Sequence, residues 1–190
     1  MTKHIVLVVD RSGSMRVIAD DMNGGINTWL SDIVATDPDA QVTSILFDDQ
    51  FEATNERKAA AKVKPSSLRI VPRGSTALND AIMRGLSTIK DGEDALVMIV
   101  TDGYENASRE VTTKEVKARI AELEEQGVVF NYLSASPTAF ADATAYGFRG
   151  DQTIAYTANT EGSVVATSNL RQSSSAYLNY GKTTNNTAAK

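Results

Sequence analysis

Cysteine is absent from this chain, and histidine occurs once in 190 residues. The first absence removes disulfides, thiolate zinc sites and cysteine nucleophiles together. Long apolar runs are missing as well. The opening MTKHIVLVVD holds a hydrophobic stretch far too short for a secretory segment and no small-residue cleavage site, and nothing later approaches a membrane span. Positive charge is in short supply: 19 Lys and Arg stand against 24 Asp and Glu, a net charge of −5, and no segment is basic enough to follow a phosphate backbone. These absences predict a soluble, cytoplasmic protein with neither nucleic acid nor membrane as a partner. What is present, 42% hydrophobic residues at this length and no internal repeat, suffices for one domain with a sizeable core.

The chain is organised around Ile5 to Met15, IVLVVDRSGSM. Five apolar residues in a row, four of them β-branched, predict a strand buried on both faces, the kind found at the centre of parallel sheets. The run ends at Asp10. Asp10, Ser12 and Ser14 then place three oxygen side chains at alternate positions of a loop whose Gly13 permits a tight path. Either this is an ordinary strand-to-helix turn with serine caps, or the oxygens converge on a hard cation such as Mg2+, which prefers carboxylate, hydroxyl and water ligands.

Two further segments bear on that choice. In PRGSTALNDA, Pro72 to Ala81, Thr76 follows Gly74 and Ser75 and opens a helical pattern; in ALVMIVTDGYEN, Ala95 to Asn106, a second fully apolar strand ends in Thr101, Asp102 and Gly103. Ligands of open doubly wound sheets gather outside the carboxyl ends of the strands where strand order reverses, so Asp10 and Asp102 are expected to face one another. Asp10-Arg11-Ser12-Gly13-Ser14, then Thr76, then Asp102 resemble the metal-ion-dependent adhesion site of the von Willebrand factor A (VWA) domain family, in particular its small bacterial or phage-type members. The resemblance spans roughly residues 3 to 178. It implies that Ser12, Ser14 and Thr76 bind Mg2+, with Mn2+ or Ca2+ as substitutes, through their hydroxyls. It also implies that Asp10 and Asp102 act close by or through water, and that an Asp or Glu exposed on a partner protein completes the shell.

The remaining elements fit an α/β, doubly wound three-layer sandwich, a mostly parallel sheet with one antiparallel edge strand. Val17 to Thr36 has helical apolar spacing with Trp29 on its buried stripe. Its Asn23-Gly24-Gly25 costs about 1 kcal/mol per glycine against alanine, so the helix bends there or something packs closely against it. Gln41 to Phe47 is a strand, Asp48-Asp49-Gln50 a solvated turn, and Phe51 to Thr54 its antiparallel partner. Residues 55–67 form a charged surface helix or loop in which Arg57, Lys58, Lys62 and Lys64 face solvent or an acidic partner. Helices are expected over Leu78 to Lys90, Glu115 to Gln126, Thr138 to Tyr146 and Thr160 to Leu178, and strands over Val128 to Leu133 and Thr153 to Tyr156. Asp80 either favours its helix dipole or orients a ligand from behind, and Arg73 either neutralises the acids or faces solvent. Residues 179–190 read as a polar tail.

These features predict a non-enzymatic, metal-dependent protein-binding module with Met15 and Tyr104 beside the site. The alternatives are an assembly component of an ATPase-chaperone or stress-response system with a structural metal, and a metal-dependent phosphate hydrolase using Asp10. The hydrolase is disfavoured because the usual aspartyl-phosphatase pattern has Asp where this chain has Ser12, and His4 lies at the wrong end of its strand.

Overall fold

A run of five apolar residues cannot sit at a sheet edge without exposing one of its faces, and the chain places it at the centre. In the computed structural model, which describes residues 2–181, β1 (His4–Asp10) is buried along its whole length. It pairs in parallel with β2 (Gln41–Phe47) on one side and β4 (Ala95–Thr101) on the other. β3 (Phe51–Ala59) closes one edge antiparallel to β2, and β5 (Val129–Ser134) and β6 (Thr153–Ala155) extend the other in parallel. The order is β3-β2-β1-β4-β5-β6, so strand order reverses between β1 and β4.

The period of two along β1 divides its side chains between two cores. Ile5, Leu7 and Val9 join one cluster with helices α1 (Ala19–Thr36) and α5 (Thr160–Tyr180); Val6 and Val8 join another with α2 (Leu78–Leu86), α3 (Thr113–Glu125) and α4 (Ala139–Tyr146). Each such fully buried side chain contributes about 1.5–3 kcal/mol of transfer free energy. The result is the expected mostly parallel, three-layer sandwich with one antiparallel edge. Among the described residues no helix is long and apolar enough to cross a membrane.

The glycines in α1 do not break it: the helix runs through them, and a Cβ on Gly25 would stand 2.2 Å from Thr167 Cγ2 of α5. Trp29 is fully buried, its Nε1 donating to Ser174 Oγ at 2.8 Å. Two boundaries differ from expectation by more than three residues. α2 ends at Leu86 rather than Lys90, and β3 runs on to Ala59 where a surface helix or loop was expected. The longer β3 rests on register shifts against β2, with Arg57 at φ 47 and Asn55 buried and donating to Ser44 and Ser67. Of the expected tail, Asn179 and Tyr180 belong to α5, and residues 182–190 lie outside the described residues.

Candidate metal centre

Asp10 is the last residue of β1, and the adjacent end of β4 is Thr101. Thr101 Oγ1 donates to Asp10 Oδ2 at 2.6 Å while the Ser12 amide donates to Oδ1 at 2.6 Å, so both carboxylate oxygens are fixed. The loop then turns Ser12 and Ser14 the same way, their hydroxyl oxygens 3.1 Å apart, and Ser14 Oγ donates to Asp102 Oδ1 at 2.7 Å. Thr76 arrives on the loop before α2. A Cβ built on Gly103 would lie 3.3 Å from Thr76 Oγ1, 3.7 Å from Ser14 Oγ and 4.0 Å from Asp10 Oδ2, so those three oxygens surround one point beside the glycine. All five residues named from the sequence therefore meet at the carboxyl end of the sheet, at the β1–β4 reversal.

The donor set fits a hard cation. Mg–O bonds of about 2.0–2.1 Å in an octahedron place neighbouring oxygens about 2.9 Å apart, and the Ser12–Ser14 and Ser14–Asp102 separations are 3.1 and 2.7 Å. Among the described residues no three His, Cys, Asp or Glu side chains gather in a metal-binding group, so a site here depends on hydroxyls. Burial pushes Asp10 up to about 6 against the hydrogen bonds from Thr101 and Ser12 that favour its charge, and the nearby Asp102 adds to the rise. Burial raises Asp102 as well. Two carboxylates destabilised in their ionised form beside neutral hydroxyls are an arrangement that a cation relieves.

The bracing of these loops was only partly legible in the sequence. Asp48, expected in a solvated turn, is fully buried; its Oδ2 accepts from Arg11 Nε at 2.9 Å and Arg73 Nε at 2.6 Å. It thereby ties the first metal loop to the second, which also pair directly through Gly13 N to Gly74 O and Arg73 N to Arg11 O. Burial alone would raise the Asp48 carboxyl; the Arg73 and Gln50 hydrogen bonds and the charge of Arg11 hold it below the usual carboxylate range. Arg73 thus faces solvent, as one of the two readings had it, while pairing with Asp48. Asp80 does not reach the centre: its oxygens accept from the amides of Arg109, Glu110 and Val111, fixing the segment that follows Asp102. Glu105 holds that segment from the other side through the Asn79, Ala107 and Ser108 amides. Asn23 grips Ile70 through both its amide groups and steadies the approach to Thr76. Met15 is fully buried under the first loop and Tyr104 is half exposed. Arg57 does not belong to a solvated basic face; it binds Glu93 through two nitrogens at 2.6 and 2.8 Å.

No family model and no curated protein sequence matches this chain. Solved structures do. Proximal thread matrix protein 1 from the mussel byssus, with a zinc-occupied MIDAS motif, superposes with a TM-score of 0.68 at 16% identity over 91% of this chain and 46% of its own. The von Willebrand factor type A structure from Catenulispora acidiphila gives 0.63 at 13% identity, over 93% of this chain and 43% of its own. The fold is of the VWA type. A third neighbour in shape, the pilus adhesin SpaC from Lactobacillus rhamnosus GG in its open conformation, gives a TM-score of 0.69 at 14% identity, over 93% of this chain and 30% of its own. The chain spans less than half the length of each of these proteins.

Proposed function

We propose that Ser12, Ser14 and Thr76 hold a divalent cation, Mg2+ by preference, with Asp10 and Asp102 supporting them, and that the carboxyl-end face binds a partner protein through an exposed Asp or Glu. The observation that carries this reading is the approach of Thr76, Ser14 and Asp10 oxygens to one point beside Gly103, with Ser12 and Asp102 each within hydrogen-bond distance of Ser14. Mg2+ retains waters and completes its shell with oxygen ligands from what it meets. With hydroxyls as the principal donors, the protein leaves that cation under-neutralised and receptive to a foreign carboxylate. The zinc-occupied motif of the mussel neighbour supports a divalent ion on this fold. Two of the proposed loops also carry exposed apolar side chains close in sequence to their site residues, Val17 after Ser14 and Tyr104 after Asp102.

A binding role also accords with Asp10 better than nucleophilic chemistry does, since both its oxygens are engaged by Ser12 N and Thr101 Oγ1 and the lone imidazole is at the opposite end of β1. Calorimetric titration with Mg2+, Mn2+ and Ca2+ tests the reading. One site is expected in the native protein, weakened at least tenfold in Thr76→Ala and Asp10→Asn. Partner capture from the host should appear with Mg2+ and disappear with EDTA. Equal Mg2+ uptake by the native protein and Thr76→Ala would overturn the assignment.

A further inference from the structure

Directly beside the centre lies a second feature that the metal does not use. A cleft of about 180 Å3 opens between Gly103-Tyr104-Glu105, the end of β5 and α4. Its floor is Tyr132, completely buried, whose hydroxyl has no hydrogen-bond partner among the described residues. Tyr146 continues the aromatic wall, its ring centroid 6.1 Å from that of Tyr132, and Tyr104 stands half exposed at the mouth. Both charged residues of the lining, Glu105 and Asp142, are acidic. Glu105 contributes its charge while its oxygens are taken by backbone amides. Asp142 receives Ser136 Oγ and Thr138 Oγ1 on Oδ2 alone. The amino end of α3, whose Thr113 also lines the cleft, is already matched by the Glu115 carboxylate in a capping box.

Aromatic faces beside carboxylates that form no ion pair with a cationic side chain attract organic cations, through the ring quadrupole and charge together. We propose that this cleft receives a basic side chain of the partner, an alkylguanidinium or alkylammonium group, next to the carboxylate taken by the metal centre. As a partner contact it rests on the reading above, but the cleft's affinity for the cation is independent of it.

The test is an NMR titration of the full chain with n-butylguanidinium, against the neutral isostere n-butylurea, in Mg2+ and in EDTA. Saturable shifts at Gly103, Tyr104 and Ala145 are expected for the guanidinium in both buffers, with n-butylurea at least tenfold weaker. Asp142→Asn and Tyr104→Ala should each weaken guanidinium binding at least fivefold, and Tyr104→Phe should restore it. Equal binding of the urea, shifts that map elsewhere, or no loss in both weakening variants would overturn the proposal. The two readings fail separately. Guanidinium saturation without calorimetric Mg2+ uptake removes the metal and keeps the cleft, whereas Mg2+ uptake without guanidinium binding does the reverse.

Discussion

His4, fully buried at the amino end of β1, has Nδ1 3.1 Å from an Arg57 guanidinium nitrogen and Nε2 2.8 Å from Thr43 Oγ1. A guanidinium only donates, so Nδ1 accepts and the proton resides on Nε2, which donates to Thr43. The imidazole is therefore neutral in the fold. Burial pushes it down to about 4, the Glu93 carboxylate opposing the fall and the Arg57 charge adding to it. Because the folded value is depressed below the unfolded 6.5, the contribution to stability is complete above 6.5 and is lost as the pH falls towards 4. By pH 5 the loss is about 2 kcal/mol. Asp10, raised to about 6, acts in the opposite sense over the same range. The quantity to measure is thus the difference between the native protein and His4→Gln in urea midpoints at pH 7 and pH 5: the variant should lack the His4 share of the decline. Parallel declines in the two proteins would refute this account.

Asp48 makes a second residue-scale prediction. Arg11 is 8% exposed, and removing its buried partner strands a cation. Asp48→Asn should destabilise towards the low end of about 3–5 kcal/mol, since Arg11 retains Glu52 at 3.0 Å. Arg73→Ala, at a residue with a 59% exposed side chain, should cost under about 1 kcal/mol. Chemical denaturation of both variants checks the contrast.

At the scale of the element, α1 contains a natural control. Gly24 and Gly25 are neighbours in one helix with the same intrinsic cost, but a Cβ on Gly24 meets nothing within 4 Å and one on Gly25 meets Thr167 at 2.2 Å. Gly24→Ala should stabilise by about 0.5–1 kcal/mol. Gly25→Ala should destabilise by about 1–3 kcal/mol through overpacking against α5, and Thr167→Ala in the same chain should recover much of that. β1, β4 and the convergence of the three loops at the carboxyl end of the sheet were readable because their signals are local: unbroken apolar runs, an alternating set of oxygens, a Thr-Asp-Gly strand end. The close approach at Asn23-Gly24-Gly25 was readable too, although not its partner. The second half of β3 was not, because residues 55–58 are polar and its pairing depends on shifts in register that no short pattern announces. Asp48 was misplaced for a related reason. An Asp-Asp-Gln segment reads as a turn, and Arg11 and Arg73, distant in sequence, supply the charge that makes its burial tolerable.

For the whole molecule, the proposed centre joins three segments distant in sequence, at residues 10–14, 74–76 and 101–103, whose neighbours are already tied by backbone hydrogen bonds from Gly13 to Gly74 and from Asn106 and Ala107 to Thr76. A cation bound to the native state and not to the unfolded chain stabilises the fold by about 2.7 kcal/mol at a hundred times its dissociation constant. For a chain of this length that shifts the melting temperature upward by about 5–10 °C. The rise should follow the logarithm of Mg2+ concentration above saturation and vanish with EDTA. Thr76→Ala should flatten the dependence while leaving the melting temperature in EDTA within a few degrees of the native protein, because its hydroxyl supplies the site and not the core. Gly103→Ala should flatten it by another route, its new methyl lying 3.3 Å from Thr76 Oγ1 in the space where the oxygens converge. Two substitutions on different loops that both abolish the Mg2+ response and spare the EDTA value would locate the ion between those loops. A response that survives both would place the ion elsewhere and leave the hydroxyls as ordinary caps of the strand ends.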